Sequence, residues 1–215
     1  SVARGGLAAR VGGAGLLLVT LAGCARDKKT AQPVPPGSTV LALGDSLTFG
    51  TGASAETCYP TVLAGLTGWN VVNAGVPGDT SAQALARLPA LLAEHQPKLV
   101  IVSIGGNDFL RKLPESDTRT HVHAICKQSL DAGAQVLLVA VPRATVAAAL
   151  GQMTDHALEA EVAEDLKIPL QREAWGEVLA QPDLRAAAVH ANARGYAQFA
   201  RSVQSTAAAV GLLPR

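Results

Sequence analysis

Between residues 39 and 210, short apolar runs alternate with longer stretches in which apolar residues recur every three or four positions. The short runs, residues 39–43, 70–73, 98–104, 135–141 and 168–170, read as strands. The third is almost unbroken β-branched sequence, as expected of a strand covered on both faces. Between and after them, residues 59–66, 80–94, 118–132, 154–166 and 193–210 carry helical periodicity. In the second of these, Leu85, Leu88, Leu91 and Leu92 share one side. Gly133 and Gly211 close two of the helices, and Pro142 stops the fourth strand. Strands alternating with helices at this spacing predict one α/β domain, a parallel sheet with helices on both faces. Ligands of such sheets bind beyond the carboxyl ends of the strands, so the loops that follow strands are where chemistry is sought.

The chain ahead of the first strand has a different pattern. Arg4 and Arg10 precede an apolar run over 11–22 that ends in Leu21-Ala22-Gly23-Cys24. The run is too short to span a bilayer and reads as an export signal. Leu-Ala-Gly-Cys resembles the bacterial lipobox, in which the cysteine sulfur receives diacylglycerol. Residues 1–23 are therefore expected to be a lipoprotein signal peptide, with lipidation at Cys24. An ordinary signal peptide with a chance cysteine is the alternative. Residues 24–38, polar and carrying Pro33, Pro35 and Pro36, read as a tether, and 39–215 as the domain. Ala25 follows the cysteine, with no aspartate to suggest inner-membrane retention, so the expected location is the periplasmic side of the outer membrane.

Composition narrows the partners. With 48% hydrophobic residues, 16% charged residues and a formal net charge of +1, there is no electrostatic case for nucleic acid or an acidic polymer. A monomer acting on a small molecule is expected. An oxidising compartment permits a disulfide between Cys58 and Cys126, but the alternating fold puts their helices on opposite sheet faces, so two free thiols are expected. His121 and His123 cannot share a metal from one helix face, because alternate residues point about 200° apart. Residues 44–50 lack the Gly-Lys-Ser/Thr of a phosphate loop. No cofactor is called for.

Four loops carry groups that matter together. The first strand runs into Gly44-Asp45-Ser46-Leu47, where a serine hydroxyl and its own N–H can both face solvent. The second is followed by Gly75-Val76-Pro77-Gly78-Asp79-Thr80-Ser81, where the Gly78 N–H can point at an oxyanion. After the third comes Gly105-Gly106-Asn107-Asp108, whose asparagine amide is a neutral donor. The last is His190-Ala191-Asn192-Ala193-Arg194-Gly195-Tyr196, ahead of the final helix. Singly, each also reads as a turn, a helix cap or a structural histidine. Jointly they supply a nucleophile (Ser46), a base (His190) and three oxyanion donors (Ser46 N–H, Gly78 and Asn107).

In order and spacing, Gly-Asp-Ser-Leu, Gly-Asp-Thr-Ser, Gly-Gly-Asn-Asp and His-x-Asn-x-x-Gly-Tyr resemble the blocks of SGNH/GDSL hydrolases, nearest to the thioesterase I, lysophospholipase and arylesterase branch. The resemblance implies a flavodoxin-like three-layer α/β/α sandwich with a five-stranded parallel sheet, and a metal-free serine hydrolase of esters or thioesters. It also implies an aspartate three residues before the histidine, where this chain has Ala187. Asp183 lies a turn earlier as a conceivable substitute. Three readings follow: a Ser-His dyad oriented by a backbone carbonyl or water, a naturally weakened homologue, or an inactivated variant. Rivals to the esterase are a non-catalytic ligand-binding lipoprotein of the same fold and an O-deacetylase of envelope carbohydrate.

Overall fold

A computed structural model describes residues 31–143 and 153–214. The expected export signal and Cys24 lie outside the described residues. Strands β1 (Thr39–Gly44), β2 (Asn70–Gly75), β3 (Leu99–Ser103), β4 (Gln135–Val139) and β5 (Leu170–Gln171) form one sheet in the order β2-β1-β3-β4-β5. Every pairing is parallel. This is the flavodoxin-like order, and the chain reverses direction across the sheet between β1 and β3, which opens a crevice at their carboxyl ends.

Alternation along the strands decides which helices cover which face. Val40, Ala42, Ile101 and Val139 pack with α2 (Tyr59–Thr67) and the terminal helix α8 (Ala193–Val210). Leu41, Leu43, Val100, Val102 and Leu138 pack with α3 (Ser81–His95), α5 (Glu115–Asp131) and α6 (Ala157–Leu166). Cys58, just ahead of α2, and Cys126, within α5, therefore belong to opposite faces, and both are free thiols. A second aromatic layer on the α8 side stacks Trp175 on Phe199 at 3.6 Å.

The expected elements need adjustment at their ends. The fourth strand stops at Val139 rather than 141, and Pro142 instead makes an isolated bridge to Asp155. The following helix begins at Ala157, not 154, and the last strand is Leu170–Gln171. Four short pieces that periodicity did not predict are α1 (Ser46–Phe49), α4 (Gly106–Leu110), α7 (Ala174–Ala180) and a hairpin of β6 (Arg185–Ala187) and β7 (His190–Ala191). Each is too short for a 3.6-residue period to repeat. Residues 31–38, assigned to a tether on composition, are packed onto the domain: Val34 is buried, its N–H donates to the Leu212 carbonyl, and its carbonyl accepts from Trp69 Nε1 at 2.9 Å. Gln32 exchanges two hydrogen bonds with Gln135, so the chain enters at the amino end of the sheet.

Candidate active site

Ser46 is the first residue of α1, where β1 ends. Asp45 caps that helix, its Oδ1 accepting from the Leu47 N–H at 3.0 Å, which directs the turn and leaves the Ser46 N–H without an intrahelical partner. The backbone of α1 lies directly on the end of β2. A Cβ at position 75 would collide with the Phe49 amide, so glycine is what allows this approach. Tyr59 meets Thr48 from below at 3.3 Å, and Tyr196 donates to the Thr51 carbonyl at 2.8 Å, fixing the far side of the same turn.

His190 reaches the serine from the other end of the chain. Asn192 caps α8, accepting from the Gly195 N–H at 3.1 Å and donating to the Asp183 carbonyl at 2.9 Å, which anchors the hairpin just before it. The hairpin presents His190 Nε2 at 3.0 Å from Ser46 Oγ. Burial lowers the imidazole below its ordinary pKa, which favours the neutral ring that can accept a proton. Among the described residues no group accepts from Nδ1. Ala187 pairs directly with His190 across the hairpin, so their side chains leave the same face about 5 Å apart at Cβ. The family resemblance expects a carboxylate at this position, and a methyl group stands there instead. Asp183 points elsewhere, to Arg194 at 3.1 Å.

The donors come from the neighbouring turns. Gly78 has φ +85°, open only to glycine at low cost, and its N–H has no partner among the described residues. The turn around it is pinned three times. Asp79 N–H closes onto the Val76 carbonyl, Arg111 Nη2 donates to the Gly78 carbonyl at 2.7 Å, and Asn107 Nδ2 donates to the Asp79 carbonyl at 2.9 Å. The other amide hydrogen of Asn107 has only a long contact of 3.4 Å to Asp45 Oδ2, and is the one free to turn toward a ligand.

Several residues that support the site were not singled out from sequence. Arg87 of α3 donates to Asp79 Oδ2, the Ala74 carbonyl and the Gly44 carbonyl, at 2.8, 2.8 and 2.9 Å, tying the ends of β1 and β2 to the Gly78 turn. Its signal is an arginine on the apolar stripe of a helix, three residues after buried Ala84 and beside buried Leu88. Buried Asp108 accepts from the Ser81 N–H at 2.8 Å and from the Ser81 and Thr118 hydroxyls, which joins α3, α4 and α5. Asp45 is pushed up to about 6 by burial, with the Asp79 and Asp108 carboxylates adding to the effect. Beneath Gly105, Glu159 is wholly buried, its side chain without a hydrogen-bond partner among the described residues, and pushed up to about 8 by desolvation.

Ser46, His190, Gly78 and Asn107 all line one cavity of about 350 Å³. The rest of its wall is largely apolar, with Leu47, Phe109, Val141, Met153, Leu179 and Val189. The arrangement joins a hydroxyl, an imidazole and unspent N–H donors beside a slot of acyl-chain character. His121 and His123 diverge as helix geometry requires, to Ser81 and to Asp165.

A doubly covered parallel sheet with a serine and a histidine at its switch point defines an α/β hydrolytic architecture, and comparison with known proteins gives the family. Residues 42–198 match the GDSL-like Lipase/Acylhydrolase family, to which this chain belongs. The thioesterase 1/protease 1/lysophospholipase L1 of Escherichia coli (strain K12) is 38% identical over 151 residues, covering 67% of this chain and 70% of that protein. The crystal structure of TesA superposes with a TM-score of 0.71 at 28% identity, covering 80% of this chain and 99% of that one. A psychrotrophic esterase, EstA from Pseudoalteromonas sp., inhibited by monoethylphosphonate, superposes with a TM-score of 0.68 at 25% identity, covering 79% and 96%. Family and relatives together make this chain a hydrolase of the esterase and thioesterase kind.

Proposed function

We propose that the chain cleaves carboxylic esters or thioesters of short to medium acyl chains, including aryl esters and lysophospholipids, through an acyl-Ser46 intermediate. The observation that carries this reading is the 3.0 Å contact between His190 Nε2 and Ser46 Oγ. Ser46 Oγ attacks the acyl carbonyl while Nε2 takes its proton. The negative charge on the carbonyl oxygen is met by the Ser46 and Gly78 N–H groups and by the Asn107 amide. The protonated imidazole returns its proton to the leaving alcohol or thiol, and water then releases the acyl group by the same steps. The apolar cavity takes the acyl chain, with the leaving group toward solvent.

With Ala187 at the acid position, no charged group among the described residues stabilises the imidazolium or selects the tautomer with its proton on Nδ1. Turnover is correspondingly slow, because disabling the acid in trypsin-type proteases costs about 10⁴ in kcat. Export and lipidation at Cys24 belong to the same proposal. They would set the enzyme on the periplasmic side of the outer membrane, among envelope esters.

The test is hydrolysis of p-nitrophenyl esters of graded length, together with labelling by a fluorophosphonate. Wild type is expected to label and to turn over slowly, and Ser46→Ala to do neither, with a loss of at least about 10³ in rate. Hydrolysis that survives Ser46→Ala would remove the assignment. A wild-type serine inert to the fluorophosphonate would favour the ligand-binding lipoprotein instead.

A further inference from the structure

Among the described residues, six large hydrophobic side chains are exposed, and five of them stand at one end of the molecule. Phe49 follows β1, Val76 follows β2, Leu110 and Leu113 follow β3, and Val189 is in the hairpin beside His190. Their exposure runs from 40% for Leu113 to 54% for Phe49. The sixth, Leu66, is at the end of α2, away from the active loops. Scattered single hydrophobic residues need no explanation, but a set gathered from four separate loops onto one rim does. Because Leu110 and Val189 also line the cavity, the exposed apolar rim borders the acyl slot.

We infer that this rim is a docking face for a phospholipid surface, from which the acyl chain passes into the cavity without crossing water. The inference rests on the ester-hydrolase reading of the cavity. Two features favour a lipid surface over a protein partner. One is that Leu110 and Val189 belong to both, so exposed apolar side chains stand at the mouth of the cavity that holds Ser46. The other is the sequence of the turn after α4, Leu110-Arg111-Lys112-Leu113, where two cationic side chains stand between two apolar ones. Such a segment inserts its leucines at the acyl boundary and leaves Lys112 among the phosphates, while Arg111, bonded to the Gly78 carbonyl, adds its charge at the same edge. Arg143, exposed and also on the cavity wall, adds a third cation, against Glu56 and Glu115 on the same loops. The excess of positive charge is small, so apolar contact supplies most of the affinity and charge orients the face.

Phe49 and Leu113 do not line the cavity, which allows docking to be separated from catalysis. Wild type and the double variant Phe49→Ser/Leu113→Ser, each as the full chain, are compared on two substrates. One is p-nitrophenyl butyrate free in solution, and the other p-nitrophenyl decanoate carried in vesicles of phosphatidylcholine with phosphatidylglycerol. The double variant is expected to keep its rate on the free ester within about twofold and to lose about tenfold or more on the vesicle-borne one. Leu66→Ser, off the rim, should change neither rate. Equal loss on both substrates, or no loss on either, overturns the inference. So does a wild-type dimer that the double variant converts to monomer with vesicle rates intact, since the rim would then join two copies. If wild type hydrolyses neither ester, the hydrolase reading fails first. Docking is then decided by sedimentation with the same vesicles, where an equal bound fraction for wild type and variant overturns it.

Discussion

The Gly78 turn and the His190 hairpin both line the cavity, but they are held in very different ways. Around Gly78, Arg87, Arg111 and Asn107 make hydrogen bonds to Gly78 and Asp79 and to the strand ends beneath them. Around His190 there is a hairpin of three and two residues, with Ala186, Ala187, Ala188 and Val189 exposed and, among the described residues, one hydrogen bond at the imidazole, between Nε2 and Ser46 Oγ. The Gly78 side is therefore held by two arginines through charge-assisted bonds, each stronger than a neutral one, and by the neutral Asn107 amide. Among the described residues the imidazole is held through Nε2 alone. On the proposed mechanism the donors act only when a competent base has delivered the alkoxide, so the hairpin is the half expected to limit the rate.

The sharpest way to break this asymmetry is to restore the missing acid. Ala187→Asp is expected to raise kcat by about 10² to 10⁴ with little change in KM, measured on a soluble aryl ester. It should also move the pH profile. On the proposed mechanism His190 works as a base when neutral, and burial lowers its pKa, so the wild-type acid limb is expected below the ordinary histidine value. A carboxylate at 187 favours the charged ring and shifts that limb to higher pH. An unchanged rate and limb would mean that position 187 does not face Nδ1.

The buttressed half can be weakened in steps. Arg87→Met leaves the Asp79 carboxylate and two carbonyls without their donor, and is expected to cost about 2–4 kcal/mol of stability in urea unfolding. Arg111 is more exposed and holds a single carbonyl. Arg111→Met should lower kcat about tenfold at nearly constant KM, with Arg111→Lys recovering part of it. If loss of Arg111 raised KM alone, it would be a substrate contact and not a support for Gly78.

The smallest effect concerns the buried carboxyl under the Gly105 turn. Glu159 has an ordinary value of 4.5 and is pushed up to about 8 in the fold. Between those values the folded state holds a proton that the unfolded state has released, so stability falls as pH rises through this window. Glu159→Gln removes that titration. Its Tm should change less than that of wild type between pH 5 and pH 8, by a few degrees in thermal melts. Parallel melting curves would show that the carboxyl is not carrying a neutralisation cost.

Much of the fold was legible from local pattern. The five strands and the five long helices were each found, with ends displaced by a few residues, because burial on both sheet faces writes itself into unbroken β-branched runs and 3.6-residue stripes. The short α1, α4 and α7 and the β6–β7 hairpin were not, since segments of two to seven residues have no room for a period and are shaped by what they pack against. The packing of Val34 onto Trp69 and Leu212 was hidden for a related reason: a proline-bearing polar stretch looks the same whether it floats or docks.

For the site, Ser46, Gly78, Asn107 and His190 could be proposed from sequence because each falls where a strand or a helix boundary puts it at the active end. That they line one cavity, with 144 positions between serine and histidine closed to 3.0 Å, is a property of the tertiary structure alone. So are the roles of Arg87 and Arg111. An arginine on a helix carries no local mark of which carbonyl it will reach, because that partner is set by chain crossing far along the sequence. The alanine at 187 was visible at once as a departure, but its place opposite His190 came from the hairpin register, which backbone pairing in three dimensions decides.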